Sequence, residues 1–279
     1  TGDVELGGVV SGGGTSFYQA DWRTLLVGTL GNGGKGYFVL DVTNPAAGSS
    51  SNAPGFAELN ASALIKVDRT RAKADERNCI SLTNGSAEKA FCEKAADEEN
   101  DIGYMTAKPV LDENDPTRTT QINRMNDGRW AVVMGNGYNS SNQRPVLLVQ
   151  YLDGSRELVR IQATTATTGT GNAHDNGLSA PRLVDLNGDG RIDIVYAGDN
   201  LGNMWKFDLT SDISSEWSVA LGGSPLFTAR GLSSLSSSVR NMVQPITVAP
   251  VARANDRKKC LQFQTENGVK SCKYNKTKG

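Results

Sequence analysis

The sequence predicts an all-β protein, a modified β-propeller of four-stranded blades with insertions, and three observations carry that reading. A hairpin-like unit occurs three times: an apolar run ending in Gly, a turn rich in Gly and Asn, and a second apolar run. A proline-led run precedes two of these units and returns near the C-terminus. A loop dense in Asp, Asn and Gly opens directly into an apolar strand rather than a helix. Repeats of several short strands, each too small to bury its own apolar face, read as propeller blades.

The first unit runs from Arg23-Thr-Leu-Leu-Val-Gly28 through a Gly-rich turn to Gly36-Tyr-Phe-Val-Leu-Asp41. Short β-prone runs bounded by Gly and Asn are the pattern of strands joined by tight turns. Residues 66–101 read as an insertion. Alternating charges (Asp68, Arg69, Arg71, Lys73, Asp75, Glu76, Arg77) lead into Ser86-Ala-Glu-Lys-Ala-Phe-Cys-Glu-Lys-Ala-Ala-Asp97, the one clearly helical stretch. Lys108-Pro109-Val-Leu111 precedes the second unit, Trp130–Gly135 with Pro145–Val149. Ala180-Pro181-Arg-Leu183 precedes the third, Asp193–Gly198 with Met204–Asp208. Gln244-Pro245-Ile-Thr247 opens a further unit. Proline is expected at strand starts, where a missing amide proton is tolerated. Residues 163–172, rich in Thr and Gly, and 229–241, rich in Ser, read as loops. Trp130 and Trp205 fall in predicted strands and should fill the space between blades. Trp22 and Trp217 fall near strand ends, where packing or edge covering competes with a sugar-stacking platform.

Composition excludes several functions. The chain has 279 residues, 31 of them Gly, and a formal net charge of −1, which is no footprint for nucleic acid. No apolar run approaches the length of a membrane span. The sequence reads as a piece of a longer protein, residues 1–279 forming one truncated propeller domain. The four cysteines fall as two close pairs, Cys79 with Cys92 and Cys260 with Cys272, without the Cys-x-x-Cys spacing of zinc or redox sites. Local disulfides and an oxidising compartment are expected, with free thiols as the alternative. Residues 253–279 hold eight basic and two acidic residues and read as a solvated, disulfide-closed segment.

The loop Asp185-Leu-Asn187-Gly-Asp189-Gly190-Arg191-Ile-Asp193 carries the chemistry. Oxygen-bearing side chains stand at positions 1, 3, 5 and 9, a Gly at 6 and the Arg191 carbonyl at 7. That is the donor alternation of an EF-hand-type calcium loop. Three carboxylates within nine residues repel one another unless a cation sits among them. Position 12 is Tyr196, within the apolar run Ile194–Ala197, so a strand follows. An ordinary turn, which also uses Asp, Asn and Gly, is the competing reading.

Five blocks taken together resemble the PilY/PilC family of type IV pilus tip proteins. They are residues 183–209 (Leu-Val-Asp-Leu-Asn-Gly-Asp-Gly through Met-Trp-Lys-Phe-Asp-Leu); residues 25–36 with Leu40-Asp-Val-Thr-Asn-Pro45; residues 130–140; Pro225–Arg230; and Gln244–Pro250. The resemblance implies a modified propeller at the C-terminus of a larger adhesin. Its calcium ligands map onto Asp185, Asn187, Asp189, the Arg191 carbonyl and Asp193. It further implies control of pilus extension against retraction, adhesion and twitching, with minor pilins and a host or abiotic surface as partners. The expected location is the bacterial surface at the pilus tip or outer membrane. Two other classes compete. An integrin-like propeller would repeat the calcium loop in several blades, whereas this sequence has one. A quinone-dependent dehydrogenase would carry a vicinal disulfide, and no two cysteines are adjacent. The single histidine, His174, lies beside Asp175 in a Thr/Gly/Asn loop with no nucleophile elbow, so no enzymatic activity is expected.

Overall fold

The computed structural model describes residues 1–12, 15–46, 54–70, 79–231, 236–240, 242–252, 262–266 and 269–273. Each of the three repeated units is a hairpin at the centre of its own sheet. The first sheet orders β1 (Gly2–Glu5), β4 (Trp22–Thr29), β5 (Tyr37–Asp41) and β6 (Ile65–Asp68), all antiparallel. Lys66–Asp68, grouped with the insertion on sequence grounds, thus belong to the outer strand of this sheet. Beside it, β2 (Gly8–Gly12) and β3 (Thr15–Gln19) pair as a separate hairpin.

The second sheet is built from β7 (Ile122–Met125), β8 (Trp130–Gly135), β9 (Val146–Tyr151) and β10 (Leu158–Gln162). The third uses β11 (Arg182–Val184), β13 (Ile194–Gly198) and β14 (Asn203–Asp208). The short strands β15 (Ser218–Val219) and β16 (Phe227–Thr228) share the outer edge of β14. One strand crosses between sheets: β12 (Arg191–Ile192), which follows the Asp-rich loop, pairs in parallel with β7. A last hairpin joins β17 (Gln262–Glu266) to β18 (Val269–Lys273).

The apolar runs of the second unit make sense once both faces of its sheet are seen to be covered. Successive side chains on a strand point to opposite faces. Val132, Met134, Val146 and Leu148 pack with Val4, Leu25, Tyr37 and Val39 of the first sheet. The alternate residues Ala131, Val133, Leu147, Val149 and Tyr151 pack with Val195, Ala197, Trp205 and Phe207 of the third. Full burial of each large aliphatic is worth about 1.5–3 kcal/mol. The glycines that end the runs have a steric cause. A Cβ on Gly135 would meet Ser179 O at 2.0 Å, and one on Gly198 would meet Ile246 Cγ2 at 2.2 Å. Only Gly lets the strand end approach the next segment so closely.

The expected helix spans Ala87–Asn100. Ser86 caps it by accepting the Lys89 amide at 3.1 Å, and Lys89–Glu93 and Lys94–Glu98 pair along its surface. Cys79 and Cys92 form a disulfide that ties the preceding turn to this helix. Arg69 meets Glu98 at 2.6 Å, and Arg160 reaches Asp97 and Asp101, fixing the helix to the first and second sheets. Cys260 lies outside the described residues, as do residues 253–261 and 274–279; Cys272 falls in β18. Of the three proline-led runs, only that of Pro181 enters a strand. Leu111 makes an isolated bridge to Thr119, and Ile246 instead donates its amide to Asp199 O at 2.9 Å. Among the described residues neither segment pairs beyond such single contacts, so both stay irregular.

Candidate functional site

The Asp-rich loop is the reverse turn between β11 and β13, which pair antiparallel from Arg182↔Tyr196 to Val184↔Ile194. Its first carboxylate organises the turn. Asp185 accepts the amides of Gly188 at 2.7 Å, Gly190 at 2.8 Å and Asn187 at 3.2 Å. Asn187 accepts the Asp189 amide, and Asp189 accepts the Arg191 amide at 2.9 Å. Gly188 and Gly190 both sit at φ 82°, a left-handed conformation that a side chain rarely adopts. The side chains from Leu186 to Asp189 are exposed.

Asp193 differs from the rest. It is 4% exposed, accepts the Leu186 amide at 2.7 Å and takes Asn126 Nδ2 at 3.1 Å on its other oxygen. Asn126 directly follows β7 of the neighbouring sheet. Its amide nitrogen also lies 2.9 Å from Ile192 O and 2.9 Å from Leu209 O, while its own carbonyl accepts Arg191 Nη1 at 2.8 Å. The loop therefore ends at a junction between two sheets. Sequence reasoning missed Asn126, because Met125-Asn-Asp-Gly128 reads locally as a turn and its partners lie 65–83 positions away.

The turn holding Asn126 is itself anchored. Asp127 accepts the Tyr151 hydroxyl, and Arg129 spans Asp153 and Glu157 while its guanidinium lies 3.6 Å from the Tyr151 ring centroid. The Arg129 hydrogen bond holds the Glu157 carboxyl down at about 2, and burial together with Asp127 pushes the Tyr151 hydroxyl up. Across the third sheet, the Thr210 hydroxyl and amide lower Asp208.

The donor chemistry of the loop suits a hard cation, since a carboxylate offers about four lone-pair sites and each backbone amide uses only one. Among the described residues, however, no three His, Cys, Asp or Glu side chains are arranged to hold a metal ion. The loop presents the donors in order without gathering them. His174 and Asp175 are 3.1 Å apart and both exposed. Trp205 is fully buried and Trp217 nearly so, which makes both core residues; Trp22 stays 58% exposed against the edge of Trp130. A cavity of about 470 Å³ opens among Val27, Met105, Val132, Met134 and Leu178, where Gln121 and Thr119 satisfy their polar atoms on the backbone.

Three packed sheets, each centred on a repeated antiparallel hairpin, define the β-propeller class. A family model described as the PilY1 beta-propeller domain matches residues 73–272. The type IV pilus biogenesis factor PilY1 of Pseudomonas aeruginosa strain PAO1 is 33% identical over 230 residues, covering 77% of this chain and 15% of that protein. A PilY1 homolog of Xylella fastidiosa is 30% identical over 224 residues, covering 77% of this chain and 12% of its own length. The crystal structure of the Pseudomonas aeruginosa PilY1 C-terminal domain superposes with a TM-score of 0.53 at 30% identity, covering 88% of this chain and 40% of that one. The chain belongs to the PilY1 β-propeller family, and its fold is similar to part of the C-terminal domain of the Pseudomonas aeruginosa member. It spans about a seventh of the length of the first relative.

Proposed function

We propose that this domain is a calcium-responsive part of a type IV pilus biogenesis factor, working at the pilus tip or outer membrane after export through the periplasm. The observation that carries the calcium reading is the ordered set of oxygen donors from Asp185 to Asp193, at a turn whose backbone amides already orient Asp185. Asp185, Asn187, Asp189, the Arg191 carbonyl and Asp193 would hold the ion, with water completing six or seven oxygens. Bound there, calcium neutralises three like charges. The chain's part is to draw half-buried Asp185 and exposed Asp189 toward Asp193, which is already fixed. With a strand rather than a Glu at position 12, affinity falls in the micromolar to millimolar range.

The pilus reading is supported by relatives named as pilus biogenesis factors. The Cys79–Cys92 disulfide supports an oxidising compartment. Among the described residues no helix is long and apolar enough to cross a membrane. Calcium occupancy then biases pilus extension against retraction, with minor pilins and a host or abiotic surface as partners in adhesion and twitching.

Isothermal titration of chelator-stripped protein with calcium tests the site. The expected heat of one ion should vanish in Asp185→Ala and Asp189→Ala; heats unchanged by both substitutions would exclude it. Cells carrying Asp189→Ala should export the protein yet alter pilus number or twitching. Parental behaviour in both calcium-depleted and calcium-replete medium would make the ion purely structural.

A further inference from the structure

We propose that Asn126 is a positioning residue for the calcium loop and carries the state of that loop into the neighbouring sheet. The inference rests on the calcium reading above and names the route by which that ion acts. One side-chain amide meets Ile192 O, Asp193 Oδ1 and Leu209 O, all within 3.1 Å, and the backbone carbonyl of the same residue accepts Arg191 Nη1. Asn126 thus contacts three consecutive residues, 191–193, at the exit of the loop. The first two of these, Arg191 and Ile192, are the residues that β12 lends to β7 in a two-residue parallel pairing.

The chemistry favours Asn at this place. Asp193 is buried, and each of its oxygens is aimed by one donor, the Leu186 amide from its own loop and Asn126 from the other sheet. Hydrogen bonds to a ligating carboxylate fix its direction and tune affinity for the ion, and their loss commonly weakens metal binding. A neutral amide supplies that bond without setting a positive charge beside the cation, as Lys or Arg would. An Asp here would keep the shape but remove the donor and add a fourth carboxylate.

The junction also transmits. Asn126 sits in a turn clamped by Arg129 on Asp153 and Glu157, and by Asp127 on the Tyr151 hydroxyl. An ion seated on Asp193 loads the bond between that fixed carboxylate and Asn126, and the turn holding Asn126 is tied to the end of β9 and the start of β10. On the other side, the Leu209 amide donates to Asp193 O at 2.8 Å, so the end of β14 shares the same anchor. Calcium at the loop therefore stiffens the contact between two blades, beyond the hairpin that carries the ligands.

The test uses calcium itself on the whole domain, wild type and Asn126→Ala. Titration should give calcium binding weakened about 10–100-fold in Asn126→Ala. Thermal unfolding separates positioning from packing: a packing role lowers Tm equally with chelator and with calcium, whereas a positioning role also shrinks the calcium-induced rise. Should the variant fold poorly, hydrogen exchange on wild type decides alone. Calcium should slow the amides of Gly128, Arg129 and Leu209 as well as those of residues 185–193. Protection confined to residues 185–193, or wild-type affinity in Asn126→Ala, overturns the role of Asn126 and leaves the calcium site standing. Wild type with neither heat nor protection removes both.

Discussion

Replacing Asp199 by Asn should cost about 3 kcal/mol although the two side chains have the same shape. Asp199 is fully buried and accepts five N–H groups. Oδ1 takes the Leu201 and Asn203 amides, and Oδ2 takes Asn176 Nδ2, Asn203 Nδ2 and Trp205 Nε1, the last at 2.8 Å. An Asn oriented to keep the backbone amides sets its NH2 against three donors. Two of these have second acceptors, since Asn176 Nδ2 also reaches Asn172 O and Asn203 Nδ2 also reaches Asn172 Oδ1. Trp205 Nε1 has none among its contacts and is fully buried, so it is orphaned at about 1–3 kcal/mol. The two weakened amides add about 1 kcal/mol or less each, because each keeps one partner. The sum shifts Tm by roughly 6–12 °C for a domain of this size. Urea unfolding followed by tryptophan fluorescence and by far-UV circular dichroism measures it, and Asp199→Ala should lose at least as much. A loss below about 1 kcal/mol for Asp199→Asn would refute the reasoning, because it would mean the donors find other acceptors at no cost.

Other outcomes follow from the same contacts. Gly135→Ala forces a methyl against the Ser179 carbonyl and should destabilise by about 1–3 kcal/mol or more, read as a drop in urea midpoint; a neutral result would mean the segment before β11 yields freely. Reducing Cys79–Cys92, which are 13 positions apart, should cost about 3 kcal/mol at the insertion, seen as faster exchange over Ala87–Asn100 while β8 and β9 stay protected. The Glu157 carboxyl has its value lowered from 4.5 to about 2 in the folded state, so its contribution is full above pH 4.5 and is lost as pH falls toward 2. Unfolding midpoints across that window should fall less steeply in Glu157→Gln than in wild type; parallel curves would show that the Arg129 pair is screened to nothing.

Much of the fold was legible because its signals are local. The three central hairpins could be read from Gly- and Asn-rich turns between apolar runs, and they occur as β4–β5, β8–β9 and β13–β14. The helix could be read from its Ser86 cap and its i,i+4 pairs. What escaped depends on partners distant in sequence. β12 is two residues long and exists only because β7 lies beside it. Pro109 and Pro245 looked like Pro181, yet among the described residues no strand pairs with their segments beyond the single bridge at Leu111, and nothing local distinguishes the three. Trp217 was expected to pack or to cover an edge and is buried, but its partner, Tyr151 of another sheet, had no local signal. For the site, the order of donors from Asp185 to Asp193 could be read from spacing alone. That Asp193 is buried and held by Asn126 could not, because Asn126 is 67 positions away in an ordinary-looking turn.

The central claim is that calcium occupies the loop at the junction of two blades, and a crystal structure of the domain grown with millimolar calcium tests it most directly. Anomalous scattering should locate one ion bound by Asp185, Asn187, Asp189, the Arg191 carbonyl and Asp193 at 2.3–2.6 Å, with Asn126 still donating to Asp193. A loop that keeps its carboxylates apart under the same conditions, or an ion seated elsewhere, would contradict the account.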